Sequence, residues 1–290
     1  MKKFKFVSPV LFASLLFIIN ASSAQQVKEP KGPAQWSAPH EPFRIAGNLY
    51  YVGTQDLAVY LIATEQGHIL INTGLANSAE QIRHNLQKLG FDFTKIRILL
   101  TTQAHYDHMG AMAAIQKQTG ARFLVNSPDS SVAADGGASD YAFGKGVASF
   151  SPVRVDAVLT DGDSIQLGST SLQMLSHPGH TKGSCSYLVD LKDEHRTYRV
   201  LIANMPSIVV EEPFDQISSY PGIAKDYAYT LEQMPKIKFD LWVASHASQF
   251  GLSKKYIKAN GYQPASFADA KGYLEALREL QEDFDKHMKK

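Results

Sequence analysis

The sequence predicts an α/β protein in which helices lie outside two packed β-sheets. Short apolar runs typical of buried strands alternate with segments of helical periodicity, and this alternation occurs in both halves of the chain. Residues able to bind metal follow several of these strand-like runs, which is where open α/β sheets build their sites. With 290 residues, 44% of them hydrophobic, the chain can form one large domain or two small ones.

The first 24 residues have the pattern of a secretory signal peptide. The start is basic, residues 7–19 are apolar and residues 21–24 are small, as at a signal cleavage site. The apolar stretch is too short for a membrane-spanning helix. We expect cleavage after Ala24, export to the periplasm and a single catalytic domain at residues 25–290 with no membrane anchor. A buried N-terminal helix is the alternative interpretation.

The first half of the mature chain is predicted to alternate strands and helices after a polar, proline-rich arm at residues 25–42. A helix capped by Asn77 or Ser78 is predicted to end at Leu89, and a second helix to occupy residues 110–119. Strands are predicted at residues 49–52, 58–63, 68–72, 96–100 and 123–125.

The second half is predicted to contain six further strands and two helices. A loop rich in glycine and serine at residues 135–140 precedes them. The strands are predicted at residues 157–159, 164–166, 172–175, 186–190, 198–203 and 241–245. The helices are predicted at residues 223–233 and 265–287. The last helix is amphipathic, and we expect it to cover the core rather than to anchor the chain to a membrane.

Charge and cysteine content exclude several classes of protein. The formal net charge is +1, with acids and bases interspersed, so neither a nucleic acid nor a membrane surface is expected as a partner. Cys185 is the only cysteine, which excludes an intramolecular disulfide and a zinc site of several thiolates. Because it lies in a strand-like run, we expect Cys185 to be a small buried core residue.

Between residues 103 and 108 the chain reads Gln-Ala-His-Tyr-Asp-His, directly after the predicted strand at residues 96–100. Burying His, Asp and Gln without partners is costly, so packing alone does not explain this density. Imidazole nitrogen and carboxylate oxygen are ligands that zinc accepts. An extended chain would place Gln103, His105 and Asp107 on one side, with His108 beside them. The run therefore predicts a metal centre, and a His-rich surface loop is the alternative.

Further candidate ligands follow other strands. His177 comes after the strand at residues 172–175, and His246 closes the strand at residues 241–245. Each candidate thus stands where an apolar strand gives way to a loop.

This pattern resembles the metallo-β-lactamase superfamily, whose signature is His-x-His-x-Asp-His followed by two distant histidines. It looks most like the secreted β-lactamases of subclass B3, and the glutamine at the first ligand position resembles the GOB-type branch. The turn at residues 72–75 and Gly-His-Thr at residues 179–181 also match. The resemblance covers about residues 45–248. It implies an αβ/βα sandwich of two mixed β-sheets, with helices on the outer faces and metals in a cleft at one edge.

The resemblance also implies two zinc sites with three protein ligands each. The ligands would be Gln103, His105 and His177 in the first site, and Asp107, His108 and His246 in the second. An amide oxygen is a poorer zinc ligand than an imidazole nitrogen. We therefore expect one or two zinc ions, with the second site filling first and supporting turnover alone.

The activity implied is hydrolysis of the β-lactam amide bond of penicillins, cephalosporins and carbapenems by a metal-bound hydroxide, which confers antibiotic resistance. Asp107 is expected to orient the nucleophile as the catalytic residue. Ser207 is the candidate for binding the substrate carboxylate, and Lys182 is a weaker one. His180 is expected to hydrogen-bond within its loop rather than to bind metal. The small β-lactam is the expected partner of a monomeric enzyme.

Two other functions remain open at this point. One is a different secreted hydrolase on the same fold, acting on a lactone, thioester or phosphoester. Residues 204–207 contain neither the metal-binding cysteine of subclass B1 nor the bridging aspartate of glyoxalase-II-type hydrolases. The other is a secreted metal-binding protein without catalytic activity, whose weakened ligand is Gln103.

Overall fold

The computed structural model describes residues 26–290, which form two mixed β-sheets. The predicted signal peptide at residues 1–24 lies outside the described residues. The first sheet contains, in spatial order, β1 (Phe43–Ala46), β2 (Leu49–Tyr51), β3 (Tyr60–Thr64), β4 (Gly67–Ile71), β5 (Ile96–Leu100), β6 (Arg122–Asn126) and β7 (Ala157–Leu159). The second contains β8 (Ser164–Leu167), β9 (Thr170–Ser176), β10 (Cys185–Lys192), β11 (Thr197–Ala203) and β12 (Leu241–Ala244), and each of these strands lies beside the next one in the sequence.

Antiparallel and parallel pairs occur in both sheets. Strands β1 to β4 pair antiparallel and β4 to β7 pair parallel. In the second sheet only β11 and β12 are parallel. This arrangement matches the predicted αβ/βα sandwich and confirms the predicted fold class.

Seven α-helices accompany the sheets in the described part of the chain. They are α1 (Ser78–Lys88), α2 (Tyr106–Met109), α3 (Met112–Thr119), α4 (Ser130–Ala134), α5 (Ile223–Gln233), α6 (Leu252–Lys255) and α7 (Ala270–His287). Across residues 26–290, none of these helices combines the length and the hydropathy that crossing a bilayer would require.

Strand β4, at the centre of the first sheet, is buried on both faces. Ile69 and Ile71 belong to the apolar core that both sheets share, whereas Leu70 packs in a second apolar cluster with residues of α1 and α3. Successive residues of a strand point to opposite faces. A strand with sheet on one side and helix on the other is therefore apolar throughout, which is why β4 reads as a continuous hydrophobic run.

The longer predicted elements are confirmed with small shifts at their ends. Helix α1 buries Ile82 and Leu86 and is followed by Gly90 in the left-handed region (φ 82°). The final helix begins at Ala270 rather than residue 265, because a separate 3-10 turn (Pro264–Phe267) comes first and the Asp269 side chain then accepts the amide hydrogen of Gly272. Strand β1 and the short helices α2, α4 and α6 were not predicted.

Candidate metal centre and substrate cleft

The loop after β5 is held in place by the side chain of Asn72, at the end of β4. Asn72 Oδ1 accepts hydrogen bonds from the Thr102 amide (2.9 Å) and from the hydroxyls of Thr101 and Thr102 (both 3.2 Å). Asn72 adopts a positive φ of 62°, which asparagine tolerates better than most residues. These hydrogen bonds fix the point at which the chain leaves the sheet and enters the ligand run, residues 103–108.

The ligand run then turns into helix α2 instead of continuing in an extended conformation. His105 has an extended backbone (φ −96°, ψ 156°), and Asp107 and His108 lie in the first turn of α2. The predicted alternation of side chains therefore fails after His105. Gly110 ends this turn against the residues before α1, where an added Cβ would lie 2.4 Å from the Ala76 nitrogen, so only glycine permits the close approach.

Asp107, His108 and His246 form one compact, buried group. Asp107 Oδ2 lies 3.2 Å from His108 Nε2 and 3.3 Å from His246 Nε2. Their ligand atoms all fall within 4.8 Å of one another, and within residues 26–290 this is the group of three or more His, Cys, Asp or Glu side chains suited to a metal. The structure thus brings together all three residues predicted for the second site.

The electrostatics of this group favour metal binding. Burial raises the pKa of Asp107, but His108 and His246 outweigh it and hold that pKa well below its ordinary range. Burial lowers the pKa of His108, so its imidazole is neutral at pH 7. Both ring nitrogens of His108 are buried without a hydrogen-bond partner. Such orphaned donors and acceptors are costly, and a zinc ion bound by one carboxylate and two imidazoles would satisfy Nε2.

A second pair of imidazoles lies in the same cleft, formed by His105 and His180. His105 Nδ1 is 3.2 Å from His180 Nε2. Burial and the neighbouring His105 lower the pKa of His180 to about 3, which leaves its ring neutral. Asp140 raises the pKa of His105 despite its burial, whereas a metal ion bound between the two rings would favour the neutral form of both, and imidazole nitrogens at this distance can serve as ligands to one ion.

His177 does not join this pair, and this corrects the predicted first ligand set. His177 continues the register of β9, donating its amide hydrogen to the Ser184 carbonyl and placing Nδ1 2.7 Å from Ser186 Oγ. The chain then turns at Gly179 (φ 129°), and this turn directs His180 into the cleft. His180 therefore occupies the position that was predicted for His177. The sequence had predicted that His180 would hydrogen-bond within its own loop.

Gln103 is buried at the start of the run, 2% exposed. Its carbonyl accepts a hydrogen bond from the Thr101 hydroxyl at 2.7 Å. The role of Gln103 as a ligand of the first site stays a prediction.

Three of these histidines each have one ring nitrogen in contact with another group of the protein. His180 Nδ1 lies 2.6 Å from the Ser207 carbonyl, and His246 Nδ1 lies 3.2 Å from Asp56 Oδ2. His105 Nε2 lies 3.4 Å from Asp140 Oδ2. Metal-bound histidines in proteins are commonly oriented in this way through the nitrogen that does not bind the metal. The sequence carried no signal for Asp56 or Asp140, which are distant along the chain.

The cleft around these groups has an open side suited to a small molecule. It is lined by Trp36, His105, Tyr106, Asp107, Phe143, His180, Ser207, Val209, His246, Ser248 and Gln249. Ser207, the predicted substrate-binding residue, therefore lies at the cleft. The Nζ of Lys182, the weaker candidate, is 5.4 Å from the centre of the Tyr220 ring. Cys185 is buried, as predicted, and makes no part of the metal group.

Comparisons with known proteins agree with this geometry. The family described as the metallo-beta-lactamase superfamily matches residues 56–193. The chain is 61% identical to a class B3 di-zinc metallo-beta-lactamase, LRA-12, from an Alaskan soil metagenome, covering 90% of this chain and 100% of that one with a TM-score of 0.89. It is 53% identical to the metallo-beta-lactamase GOB-18 from Elizabethkingia meningoseptica, covering 92% and 99% of the two chains with a TM-score of 0.90.

A more distant relative is a probable metallo-hydrolase of Burkholderia pseudomallei. It is 29% identical over 118 residues, which is 39% of this chain. The match spans about a third, 36%, of that relative's length.

Proposed function

The chain belongs to the metallo-β-lactamase superfamily and, within it, to subclass B3, and on this basis we propose that it hydrolyses the amide bond of β-lactam antibiotics in a zinc-dependent reaction. The observation that carries the proposal is the buried group of Asp107, His108 and His246, which shares one cleft with His105 and His180. Lactamases of more than 50% identity match nearly the whole described chain.

We assign the two metal sites as follows. Asp107, His108 and His246 hold the second zinc ion, and Gln103, His105 and His180 hold the first. The pairing of His105 with His180 supports the replacement of His177 in the first set. We further propose that the protein is of the GOB type. The support is Gln103 at the first ligand position and the 53% identity to GOB-18.

We also propose that the second site fills first. It offers one charged and two imidazole ligands, whereas the first offers two imidazoles and an amide oxygen, which is a weaker donor to zinc. Zinc bound in these sites lowers the pKa of a coordinated water to about 7 and polarises a carbonyl group.

The chain's own residues supply orientation and proton handling. Asp107 Oδ2 faces both histidines, so Oδ1 is the oxygen available to accept a hydrogen bond from the attacking water. The oxygen of that water bonds to the β-lactam carbonyl carbon, the carbon–nitrogen bond breaks, and the proton ends on the ring nitrogen. The hydroxyl of Ser207 donates a hydrogen bond to the substrate carboxylate. Ser207 is well placed because its carbonyl is held by His180 and by the Tyr227 hydroxyl.

Export to the periplasm completes the proposal. The basic start, the apolar stretch at residues 7–19 and the small residues 21–24 support a signal peptide cleaved after Ala24. The mature protein would then act as a monomer where it meets β-lactams entering the cell.

The test is hydrolysis of one chromogenic cephalosporin and one carbapenem by the purified mature chain as zinc is added from zero to two equivalents. We expect turnover of both substrates that already saturates at one equivalent. Saturation only at two equivalents would refute turnover from the second site alone and indicate that both zinc ions are needed for the β-lactamase activity. Zinc demonstrably bound without hydrolysis of either substrate would refute the proposed function and favour a lactone or thioester hydrolase, or a metal-binding protein.

A further inference from the structure

Asp56, in the loop between β2 and β3, contacts two segments beside the metal cleft. Its Oδ2 atom accepts a hydrogen bond from the indole Nε1 of Trp36 (3.0 Å) and lies 3.2 Å from His246 Nδ1. Its Oδ1 atom accepts the amide hydrogen of Ser248 (2.9 Å), and its carbonyl accepts that of Ala247 (2.7 Å). One carboxylate thus joins the N-terminal arm to the turn that carries His246.

This contact determines which nitrogen of His246 faces the metal group. Because Nδ1 is directed at the Asp56 carboxylate, Nε2, which lies 3.3 Å from Asp107 Oδ2, is the nitrogen that faces the metal group and would bind the ion. The His246 ring also stands edge-on to His108, with centroids 5.1 Å apart. Both side chains are mostly shielded from solvent, at 17% exposure for Asp56 and 16% for His246, so water competes weakly for the contact.

Trp36, which belongs to the N-terminal arm, packs over His246 and the neighbouring Tyr106. Its ring lies 5.4 Å from the ring of His246 and 6.2 Å from that of Tyr106. The arm is also attached elsewhere, including at its beginning. The amide of Lys28 donates to the Ala148 carbonyl (2.8 Å), and the Glu29 carboxylate accepts the Ala76 amide (2.7 Å).

We propose that Asp56 is a positioning residue for His246, and that it couples the docking of the N-terminal arm, through Trp36, to zinc binding at the Asp107/His108/His246 site. This inference rests on the proposed metal site. Coupling of this kind is reciprocal: an arm held by Asp56 favours the zinc-binding orientation of His246, and bound zinc favours the docked arm.

The experiment measures the two stepwise zinc dissociation constants of the full mature chain by competition with a chromophoric chelator. Asp56→Asn keeps the size of the side chain and its acceptor for the Ser248 amide but removes the charge facing His246. We expect zinc binding at the second site to weaken 10–100-fold, as for other groups that support a ligand, and the first site to be unchanged. The variant His246→Ala, which removes a ligand, identifies which step belongs to the second site.

Two further variants complete the design. Trp36→Phe keeps an aromatic ring over His246 and removes only the N–H bonded to Asp56, so we expect a several-fold weakening at the second site, smaller than for Asp56→Asn. Asp92→Asn makes the same change of charge at an exposed carboxylate that caps a short 3-10 turn remote from the cleft, and both zinc constants should stay as in the wild type.

The outcomes separate this inference from the proposed function. A wild-type chain that binds no zinc refutes the metal site itself. Two zinc ions bound by the wild type, with Asp56→Asn unchanged or with both steps weakened alongside the unfolding temperature, refute the positioning role of Asp56. Trp36→Phe with wild-type zinc constants refutes the coupling to the arm.

Discussion

Replacing His180 and His177 in turn by alanine tests which histidine belongs to the first metal site. His180→Ala removes the imidazole that faces His105 at 3.2 Å. His177→Ala removes an imidazole bonded to Ser186 on the neighbouring strand. Because the two positions are three residues apart in one loop, each variant is the control for the other.

The structure predicts very different sizes for the two effects. Loss of a group that only supports a zinc ligand costs about 10–100-fold in metal affinity, so loss of the His180 ligand should cost at least ~100-fold at the first site. His177→Ala loses one hydrogen bond, worth about 0.5–1.5 kcal/mol of unfolding free energy, and also the packing of a buried ring. The Ser186 hydroxyl still accepts the Asn204 amide hydrogen, so it is not left unpaired. For a domain of this size, the loss of the His177–Ser186 hydrogen bond corresponds to a fall of roughly 1–6 °C in Tm.

The assay combines chelator competition for zinc with thermal unfolding of each variant. We expect His180→Ala to bind one zinc ion tightly and the other very weakly. His177→Ala should keep wild-type zinc affinity at both sites with a slightly lower Tm. The opposite pattern, in which His177→Ala loses the first zinc ion and His180→Ala retains it, would refute the ligand assignment and restore the set read from the sequence.

Four further predictions concern metal, stability and reactivity. Gln103→His should tighten zinc binding at the first site, because imidazole nitrogen replaces an amide oxygen, and chelator competition that finds equal or weaker binding would contradict it. Removal of zinc held at 100 times its Kd should lower the unfolding free energy by about 2.7 kcal/mol, and Tm by roughly 5–11 °C, in a calorimetric scan. Asp193→Ala, which removes the acceptor of two backbone amides and the Tyr262 hydroxyl, should lower the midpoint of denaturant unfolding, and an unchanged midpoint would count against it. Burial raises the pKa of Cys185 to about 12, so a thiol reagent at pH 8 should label it only in denaturant, and rapid labelling of the native protein would show that the thiol is exposed.

Much of the fold was accessible from local sequence patterns. Strand β4, at the centre of the first sheet, is buried on both faces and reads as an apolar run, β9 in the second sheet alternates buried and exposed residues, and α1 has apolar residues at helical spacing followed by Gly90. Helices of four or five residues, such as α2, make little more than one turn and carry too few residues for a periodic signal. Their conformation depends on what packs against them, as the close contact of Gly110 with the residues before α1 illustrates.

The sequence by itself determined the chemistry of the site: the density of ligands between Gln103 and His108, the distant His246, and the placement of each after a strand. Only the tertiary structure decided which side chains meet. Whether His177 or His180 enters the cleft depends on a turn at Gly179, and the support of His246 by Asp56 joins residues 190 positions apart. Residue types specify what a group can bind, but the register of the strands and the turns between them fix where its atoms lie, and spacing along the chain does not encode that.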